Sequence, residues 1–222
     1  MKEPNKIKNL KKLSKIVAVP EFISEYGANL ENLRYAFGLN GKFDDDGYYS
    51  VRSAELDEDS SKSNAGKYTT YLNQSSYESF CKIKEFNYGC IIQRMLKADY
   101  SGVANYNSHT EILQLALVQG LCSTITSGQA SGDYYEMING KIKKEFLNTT
   151  KHRIHLGKEA VGDPSFKTSI DKLDKIYEYD LEKISYYIDI IVKHFEFSGN
   201  TNIEFSMKDG IFYGLQCREI NI

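Results

Sequence analysis

The chain is short of the residues that announce several common architectures. It has three prolines and no tryptophan in 222 residues. It also has no Gly/Ser run, which argues against a long flexible linker. Its four cysteines, Cys81, Cys90, Cys122 and Cys217, are widely separated and form no CxxC pair. Three of them lie in or beside apolar segments, where a thiol behaves as a small buried hydrophobe. This favours a reducing cytoplasm over a disulfide framework. No apolar run approaches the roughly 20 residues of a membrane span. Charge of one sign is missing too: the formal net charge is −2. Nothing therefore pulls the chain toward nucleic acid or an anionic membrane. The lysine-rich stretch Lys2 to Lys15 lacks the apolar core of a secretory signal. His109, His152, His155 and His194 show no metal-ligand spacing, so zinc is not expected.

What is present is an ordinary globular composition, 41% hydrophobic and 26% charged, long enough for one large domain or two lobes. Helices are expected near 5–15 and about 25–38, separated by an extended Val19-Pro20-Glu21-Phe22. A strand is expected over Tyr48–Ser53, followed by a polar stretch from Glu55 to Gly66. Residues 90–97 are apolar and β-branched enough for an interior strand, and 102–106 suit the next. Residues 114–121 fit either a buried helix or a strand. A hairpin is expected around Asn139-Gly140. An amphipathic helix should begin at Ser169 as N-cap and end at Ser198-Gly199. Its apolar face would carry Ile170, Leu173, Ile176, Leu181, Ile184, Ile188, Ile191 and Phe195.

The C-terminal hairpin is the sharpest local clue. Ile203, Phe205, Met207, Ile211, Tyr213, Leu215 and Cys217 occupy odd positions, whereas Asn202, Glu204, Ser206, Gln216 and Arg218 occupy even ones. Alternation of period two reads as a ribbon with one buried and one polar face. A two-residue Asp209-Gly210 loop would set Glu204 opposite Leu215 and mix the faces. A three-residue loop, Lys208-Asp209-Gly210, is therefore expected, with Asn202 facing Gln216 and Glu204 facing Gly214. The three-residue loop places a carboxylate, two amides and a guanidinium on one surface. Carboxylate and amide oxygens suit magnesium, and Arg218 could hold a phosphate oxygen. Arg52 follows a strand and precedes a Ser/Asn/Gly loop whose backbone N–H groups could approach phosphate. A solvated hairpin face and a plain polar loop would also account for these residues.

Taken in order, the segments resemble the nucleotide-binding, ATP-grasp domain of the phosphoenolpyruvate synthase and pyruvate phosphate dikinase family. The residues that carry the resemblance are Lys6 with Asn9-Leu10, Val19-Pro20, Val51-Arg52-Ser53-Ala54 with Glu58-Asp59, and Ala65-Gly66. The match continues through Ile91-Ile92-Gln93-Arg94-Met95-Leu96, Ser101-Gly102-Val103, Gly120-Leu121, Ser127-Gly128 and Asp133-Tyr134-Tyr135. It closes with Asn202-Ile203-Glu204-Phe205 and Gln216-Cys217-Arg218.

The resemblance implies an α+β, two-lobed ATP-grasp-like domain, with the nucleotide in the cleft between lobes 1–108 and 109–222. The boundary is set at the polar stretch Asn105–His109. Its implied cofactors are ATP and Mg2+. Lys6, Arg52 and Arg218 would contact phosphates as the catalytic group, with Glu58 beside them. Glu204 and Gln216 would coordinate the metal. Gln93, Arg94 and Met95 would lie against the adenine, with backbone groups reading its edge. The implied activity is ATP-dependent phosphotransfer (kinase or dikinase-like). The acceptor would be a phosphohistidine-type domain or a small molecule in trans, since no His here sits in the phosphohistidine motif. A stand-alone kinase or a degenerate nucleotide-binding protein remain alternatives. The chain departs from the family pattern at Asn202 for Asp, Ser123 for Glu and Glu219 for Pro. The glycine pair that usually precedes the helix lysine is also missing.

Overall fold

The computed structural model describes residues 2–30, 32, 33, 47–56, 69–122, 125, 132–147, 153–155, 167–169 and 178–220. These fall into two compact units. One holds the residues up to Lys11 together with Pro20–Met95; the other holds Lys12–Val19 and those from Leu96 onward. Residue 108, taken as the lobe boundary, lies in the turn between two paired strands of the second unit.

The N-terminal helix α1 covers Asn5–Leu13. Ile7, Leu10 and Leu13 recur at three-residue steps and are buried, while Lys8, Lys11 and Lys12 face outward, as an amphipathic helix requires. The first unit is built on a four-stranded antiparallel sheet in the order β1-β4-β2-β3, with β1 Phe22–Tyr26, β2 Tyr49–Ser53, β3 Thr70–Gln74 and β4 Gly89–Arg94. The helix expected over 25–38 thus starts later than its pattern suggests. Phe22–Tyr26 pairs with β4, and a 3₁₀ turn over Gly27–Asn29 separates it from the helical residues at Leu30 and 32–33. The available strand edge decides the matter over local propensity. Helix α2, Ser76–Ile83, opens with a capping box in which Ser75 and Glu78 satisfy each other's backbone N–H. The core of this unit gathers Leu30, Leu33, Tyr49, Val51, Ile83, Phe86, Cys90 and Ile92.

The second unit holds a six-stranded antiparallel sheet in the order β12-β11-β5-β6-β7-β8. Its strands are β5 Tyr100–Asn107, β6 Ile112–Gln119, β7 Asp133–Ile138, β8 Lys141–Phe146, β11 Asn200–Lys208 and β12 Ile211–Ile220. The ambiguous stretch 114–121 is strand, paired on both sides by β5 and β7. The Asn139-Gly140 hairpin forms as expected, with both residues at positive φ. β9 Arg153–His155 and β10 Lys167–Ser169 form a separate antiparallel pair. Ser169, expected as an N-cap, is the last residue of β10, and residues 170–177 after it lie outside those described. Helix α3 runs over Glu178–Phe195. Leu181, Ile184, Ile188, Ile191 and Phe195 are buried along it at steps of three and four, and Glu196 at φ +55° ends it. Ile170, Leu173 and Ile176 lie outside the described residues.

The C-terminal hairpin corrects the expected register. Its loop is the two-residue Asp209-Gly210, with Lys208 paired to Ile211. Asp209 and Gly210 both have positive φ, +51° and +71°, as a type I′ turn requires, and the right-handed twist of the flanking strands favours that turn. The face-mixing expected of this loop is undone by a bulge between Glu204 and Phe205. Past it, one extra residue on β12 restores pairing of like faces. Phe212 is consequently buried and Ile211 is half exposed, the reverse of strict alternation. Beside the bulge, Gly214 meets α1: a Cβ there would lie 2.7 Å from Leu13 Cδ2. Replacing Gly210 by alanine should lower stability by about 1 kcal/mol, because an L side chain is disfavoured at positive φ. Space is not the obstacle at Gly210, since the nearest atom to an added Cβ would be Lys183 Nζ at 4.0 Å. A urea titration that showed no shift of the midpoint would contradict this turn.

Candidate functional site

Each unit carries one set of the expected residues. In the first, Arg52 sits on β2, opposite Ile91 of β4 and Thr70 of β3. Ser50 is paired with Gln93 two residues away on the same face, and its hydroxyl donates to the Gln93 carbonyl at 3.4 Å. Lys6, 8% exposed on α1, donates through Nζ to the Ser53 carbonyl at 3.0 Å. The ammonium is thereby fixed at the end of the strand that bears Arg52. Gln93 is 3% exposed, and its Nε2 is buried with no hydrogen-bond partner. An amide donor stripped of water and left unmatched costs about 1–3 kcal/mol, so this group calls for an acceptor.

Arg94 is the last residue of β4, and Met95 follows it. Their backbone N–H groups bond to Glu21 and Tyr48 carbonyls at 2.8 Å each, so neither amide donor is available to read a base edge. The Met95 sulfur accepts from the Asn73 N–H at 3.1 Å, and Arg94, paired with Tyr49, lies on the sheet face opposite Gln93. Glu58 and the loop Ser60–Gly66 lie outside the described residues, as does Ser123.

In the second unit, the corrected register brings Glu204 directly opposite Gln216 and Asn202 directly opposite Arg218. The three-residue loop would instead have set Asn202 against Gln216 and Glu204 against Gly214. The bulge shifts β12 by one residue and makes two matched polar pairs. Gln216 is 8% exposed and Glu204 half-buried. A hydroxyl chain lies on the same face, where Ser206 and Ser101 are 2.7 Å apart and Ser101 donates to the Gly120 carbonyl at 2.6 Å. One carboxylate and one amide oxygen on adjacent strands form a hard-oxygen pair of the kind magnesium accepts while keeping further positions for water and phosphate. Among the described residues no group of three His, Cys, Asp or Glu side chains could hold a metal alone.

The sequence reads Asn105 two ways, at the end of the strand expected over 102–106 and at the start of the polar stretch Asn105–His109. It lies within β5, paired with Asn202 on one side and Gln114 on the other. The alternation of Ser101, Val103 and Asn105 against Gly102, Ala104 and Tyr106 is the signal that could have placed it. Tyr135 is a structural group: burial, and then the charge of Asp133, push its phenol up to about 12.

The chain superposes on known structures over nearly its whole length. A D-Ala:D-Ser ligase, VanG from Enterococcus faecalis, superposes with a TM-score of 0.54 at 11% identity, over 96% of this chain and 51% of that one. The chain has an ATP-grasp-like fold. N5-carboxyaminoimidazole synthetase from Staphylococcus aureus, complexed with ADP, gives 0.51 at 11% identity over 99% of this chain and 45% of that one. The ADP complex of N5-carboxyaminoimidazole ribonucleotide synthetase gives 0.50 at 11% identity over 97% and 44%. The chain thus spans about half the length of these ATP-grasp-like neighbours. At this identity the likeness concerns the fold and does not extend to the phosphoenolpyruvate synthase and dikinase family. No protein-family model matches the sequence, and no curated protein matches it. Among the described residues, no helix is long and apolar enough to cross a membrane.

Proposed function

We propose that this chain binds ATP with magnesium and serves as an ATP-dependent phosphotransferase. The observation that carries the reading is the direct pairing of Glu204 with Gln216, beside the Asn202–Arg218 pair. Glu204 and Gln216 would hold the metal, whose bound charge would offset that of the phosphates. Arg218 would grip a phosphate oxygen with its planar fork. In the first unit, Lys6 and Arg52 would add positive charge, and the unmatched Gln93 Nε2 would donate to the nucleotide. Glu58 and the 60–66 loop enter only through the resemblance. Phosphoryl transfer asks little covalent work of a protein, so positioning and charge neutralisation by Lys6, Arg52 and Arg218 would supply the rate. The ADP bound by two of the neighbours supports the nucleotide.

For the acceptor, the family resemblance favours a phosphohistidine-type domain on another chain. A second reading, direct action on a small molecule, is favoured by the neighbours, which are a ligase and synthetases. Free thiols at all four cysteines fit a reducing cytoplasm as the compartment.

The test is calorimetric titration of the folded chain with ATP, with and without magnesium, on wild type and Glu204→Ala. Wild type should bind more tightly with magnesium, and the variant should lose about tenfold or more of that arm only. Absence of binding to the folded wild-type chain would overturn the reading. Phosphorylated product from this chain alone, without a histidine domain, would select the second acceptor class.

A further inference from the structure

Asn202 is 7% exposed on the face that holds Glu204 and Gln216, and by position its amide oxygen looks like a third metal ligand. The hydrogen bonds assign that oxygen elsewhere. Arg218 donates through Nε to Asn202 Oδ1 at 3.2 Å, and Asn202 donates through Nδ2 to Asn105 Oδ1 at 2.7 Å. A guanidinium has only donors, so the amide atom facing it must be the oxygen. The Asn202 nitrogen then points to β5 and requires an acceptor, which orients Asn105 in turn. The row is stiff because Asn202 is the direct partner of Arg218 on β12 and of Asn105 on β5. Directly opposed antiparallel residues have Cβ atoms only about 4.5–5.5 Å apart.

We propose that Asn105 and Asn202 form a neutral relay that positions the Arg218 guanidinium through Nε, keeping its full charge for a phosphoryl oxygen. Metal ligation then falls to Glu204 and Gln216. The inference rests on the ATP reading for its ligand, but the relay itself is a property of the nucleotide-free chain. Charge is what separates asparagine from aspartate at this position. An aspartate would accept the same Nε–H and also neutralise the guanidinium, weakening its hold on an anion. Asn202 orients Arg218 without pairing its charge. Both asparagines are positioning residues.

Two measurements test this. In the nucleotide-free chain, the Arg218 Nε–H proton, assigned with Arg218→Lys, should exchange slowly by NMR. Slow exchange should be lost in Asn202→Ala and weakened in Asn105→Ala. Asn105→Asp, which keeps the accepting oxygen, should retain it. By calorimetry, Asn202→Ala and Asn105→Ala should each weaken ATP binding about tenfold, by the same factor with and without magnesium. Asn202→Asp should keep slow exchange yet still weaken magnesium-free ATP binding. If Asn202→Ala weakened only the magnesium-dependent arm, Asn202 would be a metal ligand and the relay would be wrong. Unchanged Arg218 Nε–H exchange in a folded Asn202→Ala would refute it as well. Should wild type bind no ATP, the proposed function fails, while the exchange measurement still decides the relay.

Discussion

Replacing Glu204 by lysine is expected to weaken magnesium-dependent ATP binding by about a hundredfold or more while leaving the chain folded. Two effects act in the same direction. The substitution removes the carboxylate of the Glu204–Gln216 pair, and it sets an ammonium where a divalent cation would sit. Like charges about 4 Å apart near a protein surface repel by roughly 4 kcal/mol. A hundredfold change in affinity needs only about 2.7 kcal/mol, so repulsion alone covers it. The fold should tolerate the change because Glu204 is half-buried on the polar face, and a lysine stem can carry its charge to water. Calorimetry with ATP and magnesium, beside a urea titration of the same variant, checks both halves. Unaltered magnesium dependence in a folded Glu204→Lys chain would remove this hairpin from the metal site.

The largest loss of stability should come from Phe212→Ala, about 3–5 kcal/mol. Phe212 is 1% exposed and stacks between two rings. Phe205 lies 5.1 Å away at 17°, and Tyr187 of α3 lies 5.0 Å away at 20°. Truncation would leave a cavity among side chains that have little room to collapse, and each lost ring pair adds about 0.5–1.5 kcal/mol beyond burial. Ile211→Ala is the control. Ile211 is 49% exposed, so its truncation should cost under about 0.5 kcal/mol. Strict alternation along β12 predicts the opposite ranking, with Ile211 inside and Phe212 outside. Chemical denaturation of the two variants therefore tests the bulge itself. Equal midpoints, or a larger loss for Ile211→Ala, would show that the bulged register does not form.

That ranking shows where a one-dimensional pattern stops being informative. The period-two alternation places Ile203, Phe205, Met207 and Cys217 correctly in the core. It fails from Ile211 to Leu215, because an Asp-Gly turn and one inserted residue each shift the phase and the two shifts cancel only beyond the bulge. The same local view leaves Asn105 between the strand expected over 102–106 and a polar turn. Its backbone is held in β5 by β6 and β11, and β11 is remote in sequence. Phe22–Tyr26 escapes for a like reason, since the edge of β4 decides its state.

By itself, the sequence determined the amphipathic face of α3 from Leu181 to Phe195, the Asn139-Gly140 hairpin and the polar character of the Glu204, Gln216 and Arg218 surface. These follow from periodicity and turn chemistry, which are local properties of a chain. Only the tertiary structure decided which polar residues meet: Glu204 with Gln216, Arg218 with Asn202, and Asn202 with Asn105. It also decided that Lys6 is held at the Ser53 carbonyl and that Gln93 is buried with an unmatched donor. Strand pairing across 97 residues, as between Asn105 and Asn202, depends on register, and register is set by bulges and neighbouring strands together. No local pattern carries that information.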